Sequence, residues 1–62
     1  MSAKQKLLGA ISAIDDAERV LKRLKNSTSD PDVGTKVRKA LRELDEARQY
    51  IQRANREMDS AE

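Results

Sequence analysis

The chain has 62 residues, of which 39% are charged, with a formal net charge of +2; it contains one Tyr and no Phe, Trp, Cys or His. Without Cys there is no disulfide, thiolate nucleophile or zinc-thiolate site, and without His the commonest general base and transition-metal ligand is missing. No apolar run approaches the roughly 18 residues of a membrane span.

What remains is a mostly aliphatic apolar set in a charged background, the composition of a long amphipathic helix rather than a sheet. A chain of this size is expected to make a single domain, here residues 1–62. The segment Met1 to Gly9 carries no hydrophobic region of the kind that opens a signal peptide, so a soluble cytoplasmic protein is expected.

The first helix is predicted from about Ala3 to Asn26. Leu7, Ala10, Ile14, Ala17, Leu21 and Leu24 step by 3 and 4, which keeps them on one helical face. Gly9 interrupts an outward position at about 1 kcal/mol relative to Ala, which a helix of this length absorbs. The break falls at Asn26-Ser27-Thr28-Ser29-Asp30, because Asn, Ser and Thr side chains compete for backbone hydrogen bonds. The turn is therefore placed at about 27–30.

Asp30 then reads as an N-cap and Pro31 as the first helical residue, where its missing N–H costs nothing. A rival start would use Thr35 as the cap and leave Asp30 to Gly34 as loop. The second helix is predicted over about 31–59, and it carries the clearest pattern in the chain. Ala40, Ala47, Ala54 and Ala61 recur every seventh residue, each preceded three places earlier by Val37, Leu44, Ile51 or Met58. These are d and a positions of a strict heptad. A short turn between two such helices makes them antiparallel neighbours.

Facing residues in an antiparallel hairpin have numbers with a constant sum. A sum of 61 sets Leu24 against Val37, Leu21 against Ala40, Ala17 against Leu44, Ile14 against Ala47, Ala10 against Ile51, Leu7 against Ala54 and Ala3 against Met58. Six of the seven layers then oppose a large residue to an alanine, as close packing demands. The seven-residue period makes the packing a left-handed coiled coil. The predicted fold is all-α, a two-helix antiparallel hairpin.

Half of every layer is only a methyl group, and small single cores rarely supply more than about 3–5 kcal/mol. Ile11, Val20, Leu41 and Tyr50 lie off the seam and are expected to form a homodimer interface, closing a four-helix bundle. Charge agrees with that expectation. From Arg19 to Arg42 there are eight basic residues against Asp30 and Asp32, a balance of +6, and the remainder carries −4. The hairpin is thus basic at its turn and acidic at its open end, so two copies laid head to tail match opposite charges.

This plan resembles that of the small plasmid-encoded repressor-of-primer proteins, in chain length, in the one short turn and in core layers shared by small and large residues. The resemblance implies a four-helix dimer and RNA as a ligand.

Acidic clusters at Asp15, Asp16 and Glu18 and at Glu43, Asp45 and Glu46 could suggest a cation site or an acid/base pair. Most of them fall at outward positions with a basic residue one turn away (Asp15 with Arg19, Glu18 with Lys22, Lys39 with Glu43, Arg42 with Glu46), and such pairs serve a solvated helix. No catalytic residue, metal ligand or cofactor is expected. The favoured function is a non-enzymatic homodimeric module that binds another protein or regulates one. The alternative is nucleic-acid binding through phosphate contacts from Lys22, Arg23, Lys25, Lys36, Arg38 and Lys39. Membrane binding is disfavoured, because the apolar face alternates with alanine where surface-lying helices carry bulky Trp, Phe or Leu.

Overall fold

The computed structural model describes residues 2–60 and shows an all-α hairpin of two helices, α1 (Ala3–Ser27) and α2 (Pro31–Ser60). Its extents are 49 × 18 × 11 Å, a flat rod with two broad faces. Among the described residues no helix is long and apolar enough to cross a membrane. Ala61, the last member of the heptad series, lies outside the described residues.

Each helix end has a local cause. At the start of α1 the Ser2 hydroxyl accepts from the Gln5 N–H at 3.1 Å, and the Gln5 side chain accepts from the Ser2 N–H at 3.3 Å. This reciprocal box satisfies two donors that a helix start leaves unpaired. At its end the Thr28 N–H and the Ser27 hydroxyl both donate to the Leu24 carbonyl, at 3.0 and 3.2 Å, and Thr28 turns extended. Ser27 thus belongs to the helix, and the turn is Thr28 to Asp30.

The start of α2 is the Asp30 cap rather than the rival start at Thr35. The Asp30 carboxylate accepts from the Asp32 N–H at 2.9 Å, and its carbonyl accepts from the Gly34 N–H at 3.1 Å. Asp30→Ala should therefore cost about 1 kcal/mol, read as a fall in thermal midpoint by circular dichroism. Gly9→Ala should act in the opposite sense, by up to about 1 kcal/mol. A Cβ there meets nothing within 4 Å, and no glycine among the described residues has a positive φ.

Both a series are inside as expected. Leu7, Ile14 and Leu21 on α1 and Leu44, Ile51 and Met58 on α2 are half-buried, and Val37 is the most enclosed hydrophobic residue at 5% exposed. The d series departs at two places. Ala3 is exposed and Leu24 leaves 43% of its surface in water. The reason is a roll of both helices about their axes, visible in the positions beside the seam.

Ile11 and Glu18 on α1 and Gly34, Leu41, Arg48 and Asn55 on α2, all e positions, are covered, while the outer e positions of α1, Lys4 and Lys25, are exposed. Every g position is exposed: Lys6, Ala13, Val20 and Ser27 on α1, Lys36, Glu43, Tyr50 and Glu57 on α2. Turning e inward turns the d/g edge outward, and Leu24 goes with it. One broad face of the hairpin is consequently closed, and the other is open.

Three ion pairs cross between the helices: Lys4 with Asp59, and Arg48 with both Asp15 and Glu18. Their numbers add to 63, 63 and 66, slightly above 61. Side chains on a helix lean toward its N-terminus. Lys4 therefore reaches toward the open end and Arg48 toward the turn, and each lean raises the sum. A backbone register near 61 accounts for all three.

Candidate functional site

The centre of the closed face is built around Arg48. Its Nη2 donates to Asp15 Oδ1 at 2.5 Å and also to Glu18 Oε1, while Nη1 donates to Asp45 Oδ1 at 3.3 Å. Glu18 is the buried charged residue among those described, 9% exposed. A buried carboxylate is tolerable only when paired, and the guanidinium fork is suited to bridging several carboxylates at once.

The arrangement locks the two e rows together at mid-height. Among the described residues, no group of three or more His, Cys, Asp or Glu could hold a metal ion.

Sequence spacing assigned Glu18 to Lys22 on its own helix. The structure pairs it across the hairpin instead, and Arg19 takes Asp16 at 3.4 Å. The signal that could have shown this is the sum rule applied to charges. Asp15, Glu18 and Arg48 fall within one turn of each other across the seam once the lean of the long arginine is counted.

Two shallow grooves flank this centre on the closed face. The first, about 310 Å³, is lined by Gln52, Asn55 and Arg56 toward the open end. The second, about 200 Å³, is lined by Lys22, Lys25, Asn26 and Leu41 toward the turn.

Comparison with protein-family models, with curated proteins and with solved structures finds no match. The reading of function therefore rests on the two faces themselves.

The four apolar residues expected at a dimer interface are divided between those faces. Ile11 and Leu41 are half-buried on the closed side, within the hairpin's own packing. Val20 and Tyr50 stand on the open side, 63% and 67% exposed. Leu24 joins Val20 there one turn on, and Arg53 lies over the Tyr50 ring at 5.7 Å, an exposed cation–π contact.

The basic residues near the turn are also sorted. Lys22, Arg23, Lys25, Lys36 and Lys39 are exposed and, among the described residues, make no ion pair or hydrogen bond. Arg38 donates its Nε to the Gly34 carbonyl at 3.3 Å and keeps its other donors free. By contrast, the two cations of the open half that meet carboxylates, Lys4 and Arg48, are held by acids of the opposite helix.

Proposed function

We propose that this chain is a non-enzymatic, cytoplasmic assembly module that works as a homodimer, two hairpins closing into an antiparallel four-helix bundle through their open faces. The observation that carries this is the asymmetry of the faces. Val37 is the only buried hydrophobic residue among those described; of the four large hydrophobics that face water, Val20, Leu24 and Tyr50 lie on the open side, and Leu8 lies at the edge beside the e row. A core this thin gains little from a single hairpin. A face of 49 × 18 Å has an area of roughly 880 Å², close to the roughly 800 Å² that each partner contributes to a stable interface.

The exposed g rows favour a second copy as the occupant. With a two-fold axis across the helices, the α2 row Lys36, Glu43, Tyr50, Glu57 meets itself in reverse. Lys36 comes opposite the partner's Glu57, and Tyr50 lies beside the partner's Glu43. On α1, Val20 lies over the partner's Ala13, whose single methyl leaves room for it and adds apolar surface to the contact. The α1 row is centred between Ala13 and Val20, and the α2 row between Glu43 and Tyr50. These centres are level to within about 3 Å in the hairpin, so one axis serves both rows. Sedimentation equilibrium tests the reading, with a mass of twice 7.0 kDa expected and a mass of 7.0 kDa at micromolar concentration against it.

A further inference from the structure

We infer that the turn end of the closed face is a docking site for the sugar–phosphate backbone of a duplex nucleic acid. Two cations line one groove there, and two more flank its apolar residue in the sequence of α2. Lys22 and Lys25 line it together with the Asn26 amide, and Leu41 forms its apolar side. Arg38 and Arg42 stand on α2 close to Leu41, one turn before it and immediately after it.

The protein spends none of these charges on its own carboxylates: no ion pair among the described residues involves any of the four. Between Lys22 and Arg42 the only acids are Asp30 and Asp32, and the Asp30 carboxylate is occupied as the cap of α2; Glu18, one turn from Lys22, is held by Arg48. An apolar wall beside the ammonium groups lowers the local dielectric and strengthens their attraction for an anion.

Phosphate in a regular array fits this better than the other anionic surfaces. Lys22 and Lys25 are separated by about 4.5 Å of helix rise, and Arg38 and Arg42 by about 6 Å. This gives two short rows of charge that can follow a strand bearing a phosphate about every 3.4 Å of duplex axis. The one aromatic, Tyr50, lies on the opposite face, so base stacking has no platform at the groove and the contacts are limited to the backbone. The turn residues Thr28, Ser29 and Asp30 supply no apolar wedge for a lipid surface. The open face proposed for dimerisation claims only Lys36 of the turn-end cations, so the two surfaces do not compete.

The test is fluorescence anisotropy of the full chain with a labelled DNA duplex of about 16 base pairs and arbitrary sequence, across a salt series. Saturable binding is expected at low salt. With four phosphates neutralised, affinity should fall roughly 150-fold between 50 and 200 mM salt. Lys22→Gln with Lys25→Gln should weaken binding and lower the salt slope by about 2. Gln keeps helix propensity, and circular dichroism checks that both variants remain helical.

The control, Lys4→Gln with Arg56→Gln, removes the same charge at the open end, away from the g rows, and should leave the slope unchanged. Sedimentation of the same variants reports dimerisation separately. The inference is overturned by absence of binding at low salt, by equal loss in the two double variants, or by capture on phosphatidylserine vesicles with none on the duplex.

Discussion

Arg48→Met should destabilise the hairpin by about 3 kcal/mol, the lower end of the range for removing one partner of a buried ion pair. Glu18, 9% exposed, would be left with a charge that neither water nor protein compensates. Asp15 and Asp45 also lose a partner, but they are about half exposed and return to solvent at little cost. For a fold that rests on so thin a core, such a loss leaves much of the chain unfolded at room temperature. Glu18→Leu combined with Arg48→Met should behave differently. With both charges gone the centre of the e rows becomes apolar, and stability should return to the parent level or exceed it. Urea titration followed by circular dichroism measures both. A double variant as unstable as the single would show that the cost comes from lost packing rather than from a stranded carboxylate.

The second large effect concerns assembly. Tyr50→Glu should weaken dimerisation roughly a thousandfold. A well-packed aromatic at an interface centre is worth about 2 kcal/mol, and a two-fold axis counts each substitution twice. The thermal midpoint of the parent should rise with protein concentration, as for any fold coupled to association, and that dependence should disappear in the variant. Charge exchange gives a sharper version. Lys36→Glu and Glu57→Lys should each lower the dimer fraction seen by sedimentation, and the two together should restore it, because the facing pair is then reversed rather than broken. Failure of that rescue would rule out the head-to-tail register while leaving other dimer geometries open.

Much of this molecule could be read from spacing. The Asp30-Pro31 start, the Ser/Thr-rich turn and the a series on both helices lie where single-helix periodicity puts them, since those features depend on a few adjacent residues. The Ser2/Gln5 box was equally readable and was missed, although Ser-x-x-Gln before an apolar run is its signature.

What spacing did not show was the roll. Whether e or g turns inward is decided by how two helices settle against each other, and neither helix encodes it alone. Glu18 therefore looked like an ordinary exposed member of an i,i+4 pair. Leu24 looked like a seam residue, and Ile11, Leu41, Val20 and Tyr50 looked like one surface. The clue lay in comparing rows: the e row of α2 holds Gly34, Leu41 and Asn55 beside one long cation, whereas its g row sets charges around a single Tyr.

Pro31 has a role beyond starting α2. If Thr28 to Asp30 wound up into helix, α1 and α2 would fuse into one rod of roughly 87 Å, and two rods could trade halves and satisfy the same contacts. In that straightened form Pro31 would sit mid-helix, lacking a donor and clashing with the carbonyl four residues back, at a cost of about 3 kcal/mol. The ring thereby holds the chain in its folded-back shape and keeps each copy from exchanging arms with its neighbour.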